Sequence, residues 1–298
     1  MKKIFIISEG GLGNQLFQAA FAHYLALNLP NIAIVFLNAN SKNDRKFELQ
    51  GFFQNCSHVG ESKARIYFRR NFVEISDGLN RIFGRFINVR SIMGQKFQPQ
   101  GYKFDLYQML NQLKRLRLRN IYVRGYFQTY LTTISQSKCF DDNLFRLLHS
   151  KTSFIEKSNF SAVAHIRRGD YEHLRNFGPL SLRYFEENLK NIGVEIKDVL
   201  IHSDAITSIR DDINFDLSKI EFSHSLNPWE LFKDSIDAKY FLGSNSTLSW
   251  WAAYIQKRGS TVDEIHSIFP SEWLRGIRTN DIRILFPDWE ISNVFWEI

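Results

Sequence analysis

The densest group of chemically able side chains in this 298-residue sequence is His165-Ile-Arg-Arg-Gly-Asp-Tyr171. Ala162 to Ala164 lead into it, so the stretch reads as a buried strand ending in a polar loop. In an open α/β sheet, ligands bind in the crevice beyond the carboxyl ends of the strands. The neighbouring Arg167 and Arg168 suit an anion that accepts forked hydrogen bonds, such as a diphosphate. A structural Arg–Asp pair beside a satisfied His165 explains the same residues, and both readings stand. Side chains alternate along an extended segment, so one arginine of the two is expected to face a ligand.

A second anion-binding pattern follows the strand Ala238 to Gly243. Ser244-Asn-Ser-Thr-Leu-Ser-Trp-Trp-Ala-Ala-Tyr254 reads as a hydroxyl-rich turn opening a helix. Ser246 or Thr247 is placed to cap that helix, whose free N–H groups and positive dipole end suit a phosphate. Simple capping is compatible with that role. Trp250 and Trp251 read as core packing for at least one of the pair. A third signal is the strand from Asp198, which ends in Ser203-Asp204. A fourth is Glu9-Gly-Gly-Leu-Gly-Asn-Gln15, directly after the apolar run Ile4 to Ile7. Its glycines allow a tight turn and close backbone approach to a ligand. Their spacing is not that of the dinucleotide fingerprint.

The elements that must hold these residues alternate as strand and helix. A helix is expected from Asn14 to Leu29, with Leu16, Ala19, Ala20, His23, Tyr24 and Leu27 at helical spacing and Pro30 ending it. Ile32 to Leu37 and Ile121 to Val123 read as strands. Ser181 is an N-cap candidate for a helix with Tyr184, Phe185 and Leu189 inside. Asn227 precedes Pro228 at the first position of another helix. A domain boundary is expected within Ser150 to Ser158, giving an amino-terminal domain of residues 1–150 and a carboxyl-terminal domain of residues 151–298.

Hydrophobic residues make up 44% of the chain and the net charge is +7. The isoelectric point is about 9.3, which favours an anionic partner. Residues 61–124 hold 14 Lys/Arg against four Asp/Glu, a surplus of ten, so the basicity is local. Within them Phe104 to Leu118 reads as a helix with Leu106, Leu110, Leu113 and Leu116 inside and Lys114, Arg115, Arg117 and Arg119 outside. It is either a solvated face or a contact for anionic lipid or glycan. No nucleic-acid module is recognisable. Cys56 and Cys139 lie far apart, and no disulfide framework or metal spacing is expected. That usage, with no signal peptide or membrane-spanning run, points to the cytoplasm.

Gly10-Gly-Leu-Gly-Asn-Gln-Leu-Phe-Gln18, His165-Ile-Arg-Arg-Gly-Asp-Tyr171 and Asn245-Ser-Thr-Leu-Ser-Trp-Trp-Ala-Ala253 together resemble the α-1,2-fucosyltransferases of glycosyltransferase family 11, bacterial type. The resemblance implies an α/β fold of GT-B type, with two Rossmann-like domains facing across a cleft. It implies inverting transfer of L-fucose from GDP-fucose to a sugar hydroxyl, O2 of a galactose, in surface polysaccharide (O-antigen) synthesis. The amino-terminal domain would serve the acceptor and the carboxyl-terminal one GDP-fucose. Arg167 would hold the β-phosphate, Ser246 and Thr247 would meet the diphosphate, and Ser203-Asp204 would help hold the nucleoside. Gly11, Gly13, Asn14, Gln15, His165, Arg168 and Asn245 complete the binding set. Arg168 is also expected to tie the loop to its own domain.

The chain contains no Asp-x-Asp, so no metal is expected and charge stabilisation falls to Arg167 and helix amides. Asp170 is the first candidate for the base that takes the acceptor proton, Glu172 the second; Asp170 is equally a structural partner for arginine. The partners implied are GDP-fucose and a galactose-terminated oligosaccharide or lipid-linked glycan, with a loose contact at the inner membrane face. Another GDP-sugar or acceptor hydroxyl, or a binding module without turnover, remains an alternative.

Replacing Lys114, Arg115, Arg117 and Arg119 with Gln is expected to weaken binding to anionic vesicles by about 1 kcal/mol per residue. Turnover on a soluble acceptor should be little changed. Unaltered vesicle co-sedimentation would reduce these residues to a solvated face.

Overall fold

The computed structural model describes residues 2–38, 46–54, 56, 59–62, 85–88, 106–115, 120–134, 138–152, 160–173, 178–193, 198–212 and 220–297. Two compact units divide between Leu147 and Leu148, and Ile282–Ile284 returns to the first unit. Each unit is a parallel α/β layer of Rossmann-like kind.

In unit 1 the strands are β1 (Lys3–Ser8), β2 (Ala33–Asn38), β3 (Val59–Ser62), β4 (Arg85–Asn88) and β5 (Asn120–Arg124), in sheet order β3-β2-β1-β5-β4. Every pairing is parallel. Central strands of parallel sheets are covered on both faces, which is why Ile4, Ile6 and Ile7 of β1 form a short apolar run, all buried. The chain winds outward from β1 to β3 and then resumes on the other side, so the switch point lies between β1 and β5. Helix α1 (Leu12–Asn28) starts before the expected Asn14 and buries Leu16, Phe17, Ala19, Ala20 and Phe21. Helix α2 (Leu106–Arg115) buries Leu106, Met109, Leu110 and Leu113 and exposes Lys114 and Arg115. Leu116, Arg117 and Arg119 lie outside the described residues, as does most of the expected domain boundary. Helices α3 (Leu131–Ile134) and α4 (Lys138–Lys151) follow β5.

One expectation is overturned in this unit. Cys56 and Cys139 form a disulfide across a sequence separation of 83, with Cα atoms 6.5 Å apart. Packing rather than spacing brings them together. Phe52 stacks edge-on against Phe140 of α4, and Arg146 donates to the Gly51 carbonyl at 2.7 Å. Cysteine usage therefore gives no argument for a reducing compartment. Among the described residues no helix is long and apolar enough to cross a membrane.

Unit 2 holds β6 (Ala162–Ile166), β7 (Val199–Ser203), β8 (Ile220–Phe222), β9 (Tyr240–Leu242), β10 (His266–Pro270) and β13 (Glu290–Ser292), ordered β13-β10-β9-β6-β7-β8 and all parallel. A small antiparallel pair, β11 (Glu272–Leu274) and β12 (Ile277–Arg278), stands apart. Its helices are α5 (Leu182–Ile192), α6 (Ile206–Asp212), α7 (Pro228–Ile236) and α8 (Thr247–Gly259). Their starts follow the capping chemistry of the sequence: Ser181 accepts from the Arg183 N–H, Asn227 from Trp229 and Ser246 from Leu248. Tyr184, Phe185 and Leu189 of α5 pack on β6 and β7 in one apolar cluster. Trp250 and Trp251 are both fully buried, so core packing holds for each of the pair. Trp250 sits 5.5 Å from Phe286 and 5.3 Å from Trp289 by ring centroids, anchoring α8 to the carboxyl-terminal segment. The switch point lies between β6 and β9.

Gly243 leaves β9 toward α8 where a Cβ would stand 2.5 Å from Cε1 of buried Phe269. Gly243→Ala is expected to lower stability by roughly 1–3 kcal/mol, the ordinary cost of overpacking. Urea denaturation would check it, and an unchanged midpoint would mean that the Phe269 ring yields freely.

Candidate functional site

The unit 2 switch point collects most of the residues singled out in the sequence. β6 and β7 pair in register, with His165 opposite His202 and Ile166 opposite Ser203. Asp204 therefore emerges next to Arg167. Its Oδ2 lies 2.6 Å from Nη1 of Arg167, and its Oδ1 accepts the Arg168 backbone N–H at 2.9 Å. Gly169 has φ +35°, and a Cβ there would collide with the Asp204 carboxylate. Glycine at 169 is what lets the carboxylate reach both arginines. Arg167 Nη2 pairs with Asp170, whose side chain is 52% exposed, while that of Arg167 is 14% exposed. The guanidinium also lies over the Tyr171 ring, 5.3 Å from its centroid. Arg167 is thus held between two carboxylates, Asp170 being the more exposed of them.

Arg168 faces the other way. It is buried and pairs with Glu297 near the carboxyl terminus. The two arginines diverge as an extended segment requires. His165 also stands behind the site. Its ring is 4% exposed and Nδ1 lies 2.6 Å from Oγ of Ser249 on α8. Burial pushes its pKa well below the usual value, and the charge of Arg167 and then His202 add to this. The imidazole is therefore neutral, and its role is to join β6 to α8. Ser249 in turn accepts the Ser244 N–H at 3.2 Å.

On the facing side of the switch point, Ser246 caps α8 and is 5% exposed, and Thr247 is the first helical residue. Asn245 is buried and donates to the Trp273 carbonyl at 3.2 Å, while Tyr171 donates its hydroxyl to the Asn245 carbonyl at 3.3 Å. That last bond spans the arginine loop and the hydroxyl turn. Ser203 accepts the Ala205 N–H at 3.0 Å and shapes the turn that presents Asp204. Glu172 lies in the same short 3-10 turn as Asp170, Gly169–His173. The outcome is an arginine held by two carboxylates on a loop that Tyr171 ties to the turn before α8, and both a guanidinium and a helix N-terminus can stabilise a phosphate group.

The glycine loop belongs to unit 1 and its own switch point. Gly10 has φ +82°, and a Cβ there would press on the Asn14 amide at 3.0 Å. Gly11 is the N-cap of α1, and Gly13 is buried in its first turn. Gln15 was expected to bind substrate, but its amide is consumed by the protein. Nε2 donates to the carbonyls of Gly10 and Lys46 at 2.8 and 2.9 Å, and Oε1 accepts the Glu48 N–H at 2.9 Å. It frames the loop from a fully buried position. Asn14 is partly exposed and accepts from Gln128 Nε2 at 2.8 Å. Glu9 and Arg124, at the ends of β1 and β5, form a forked pair, with Nη2 2.6 Å from Oε2. Gly169, Tyr171, Ser249 and Gln128 were not among the expected site residues. The signal for Gln128 was present in Arg124-Gly-Tyr-Phe-Gln128, a polar residue placed just after a central strand.

Comparison with known proteins bears on these motifs. The chain is similar to the O-antigen biosynthesis glycosyltransferase WbnK of Escherichia coli, at 27% identity over 318 residues covering 94% of this chain and 97% of that protein. Among solved structures it is similar to the E. coli ADP-heptose LPS heptosyltransferase II, with a TM-score of 0.49 at 10% identity, covering 98% of this chain and 90% of that one. It is also similar to the fucosyltransferase NodZ from Bradyrhizobium, with a TM-score of 0.46 at 10% identity, covering 85% and 92%. The sequence profile described as Glycosyl transferase family 11 matches residues 3–275, which takes in the glycine loop, the arginine loop and the hydroxyl turn. The chain belongs to glycosyl transferase family 11.

Proposed function

We propose that this glycosyltransferase moves L-fucose from GDP-fucose to O2 of a galactose in α-1,2 linkage, with inversion, on a lipid-linked O-antigen precursor. The observation that carries the donor assignment is the Arg167 guanidinium at the unit 2 switch point, paired on one side with the exposed carboxylate of Asp170. The polysaccharide context rests on the similarity to the O-antigen enzyme. The choice of fucose and of O2 rests on the resemblance of the three motifs. In the same reading unit 1 serves the acceptor and unit 2 the donor.

The acceptor hydroxyl oxygen attacks C1 of fucose as the bond from C1 to the β-phosphate oxygen breaks. The electron pair of that bond leaves with GDP, and the acceptor proton must go to a base. Arg167 exchanges Asp170 for the β-phosphate, while Asp204 keeps the guanidinium aimed from behind. Phosphate charge grows as the bond breaks, so this contact is stronger in the transition state than in the ground state. The N-terminal end of the α8 dipole adds a fixed partial positive charge. Asp170, whose exposed carboxylate gives up Arg167 in this step, is the group assigned to take the proton. Because the chain has no Asp-x-Asp, no divalent metal is assigned a step.

Arg167→Lys keeps the charge but loses the fork. It should lower kcat with GDP-fucose on the order of 10²-fold or more, and raise donor KM. Arg168→Lys breaks the buried pair with Glu297 and should cost about 1–3 kcal/mol in stability, with a smaller effect on kcat. A well-folded Arg167→Lys with near-normal kcat would remove this arginine from the mechanism.

Product release measured in excess EDTA tests the metal-free step. Full activity is expected, and loss of activity restored by magnesium or manganese would sink it.

A further inference from the structure

The carboxyl edge of unit 1 holds polar atoms that its own fold does not use. Ser8, the last residue of β1, is fully buried, and its Oγ has no hydrogen-bond partner among the described residues. Gln128, just beyond β5, is 2% exposed, and its Oε1 likewise has none. Such atoms are rare in native interiors and call for a reason. Both lie where β1 and β5 run side by side, at the switch point of the sheet.

The other end of the Gln128 amide donates to Asn14 Oδ1 at 2.8 Å. Reversing both amides exchanges donor for acceptor and changes nothing else, because one end of Gln128 meets Asn14 and the other is left over. A group that satisfies either polarity is a hydroxyl, which donates and accepts. Glu9 and Arg124 neutralise each other by a forked pair at the same edge, which favours an uncharged ligand there. The backbone that delivers Gln128 is itself unusual. Phe127 has φ 53°, a left-handed conformation rare for a bulky residue, and is held there by stacking on Phe21 at 4.0 Å between centroids. Residues forced into such conformations cluster at ligand sites.

We propose that Gln128, together with Asn14, binds one hydroxyl of an uncharged pyranoside and so sets which acceptor sugar is used. That this sugar is the acceptor rests on the function proposed above. The glycine at 10 belongs to the same device, because it leaves room for the Asn14 amide.

The test is saturation-transfer NMR titration of the full chain with methyl β-galactopyranoside and its monodeoxy analogues, in parallel with GDP titration. The wild-type protein should bind the parent glycoside and bind one analogue roughly tenfold or more weakly, as expected when a buried amide loses its hydroxyl partner. In Gln128→Leu the parent should fall to the level of that analogue and the analogue should lose nothing further, with GDP affinity unchanged. If Leu is not tolerated at the buried position, Asn14→Ala, which is partly exposed, carries the same comparison. Gln128→Leu that discriminates the analogues as wild type does would overturn the proposal and leave an ordered water or nothing on Oε1. A lower melting temperature with unchanged glycoside binding would overturn it in favour of a purely structural amide, and so would failure of the wild type to bind the parent at all. Absent turnover of GDP-fucose, with Gln128-dependent glycoside binding intact, would instead count against the proposed function and leave this subsite standing.

Discussion

One carboxylate organises the arginine loop. Asp204 takes the backbone N–H of Arg168 on one oxygen and the guanidinium of Arg167 on the other. Two features allow this, and both are backbone features. The parallel register of β6 and β7 brings the end of β7 level with the end of β6. A slip of one residue would turn the side chains to the opposite face and carry Asp204 away from Arg167. The missing Cβ of Gly169 then opens the space that the carboxylate fills. An arginine needs such support to act on a ligand, because its long side chain otherwise has many rotamers to lose on binding.

Behind this loop runs a line of neutral polar contacts. His165 meets Ser249, and Ser249 meets both the N–H and the hydroxyl of Ser244. The line crosses from the central strand to α8 and fixes where the helix N-terminus lies relative to the arginine. Neutrality matters here. Burial keeps the imidazole uncharged, so it adds no positive charge beside Arg167 that would itself need a counter-ion. Protonating it in the folded state would place a bare charge in the core. Its folded pKa is depressed below the unfolded one, so the stability tied to it is present at neutral pH. That stability declines as pH falls below the ordinary histidine value, where the unfolded chain binds the proton.

Much of this was legible in the sequence because parallel sheets announce themselves. Ile4, Ile6, Ile7 and Ala162 to Ala164 are buried and Phe5 is half-buried, so they read as unbroken apolar runs, and polar clusters directly after them mark the carboxyl edges. Caps at Ser181, Asn227 and Ser246 follow from local hydrogen-bonding chemistry that no distant residue alters. What stayed hidden depends on contacts between remote positions. The pairing of Cys56 with Cys139 is made by Phe52 packing on Phe140. Gln15 looks available in a glycine-rich motif, yet the segment at Lys46 to Glu48 absorbs its amide. Spacing showed that Arg167 and Arg168 must diverge, but not that Glu297 waits for the second of them.

The two switch points are built from different chemistry, and the difference is what a transfer reaction between a nucleotide sugar and a glycan would require. In unit 2 the switch point carries a guanidinium paired with two carboxylates, one of them exposed, and α8 starts just after the neighbouring strand β9. Charge of that kind is useful where charge appears during reaction. In unit 1 the only ion pair described at the switch point is closed on itself, Glu9 against Arg124. The atoms left over there are neutral, an amide end and a hydroxyl. A neutral polyol offers no charge to reward a buried ion, and an unpaired buried ion would cost more than any hydroxyl could return. Amides and hydroxyls are the groups that discriminate one hydroxyl pattern from another at low electrostatic cost. The proposed place for a diphosphate in unit 2 and the proposed place for a sugar in unit 1 rest on this difference, a paired guanidinium in one sheet and neutral polar atoms without a partner in the other. It does not depend on how the glycine loop or the arginine loop is named.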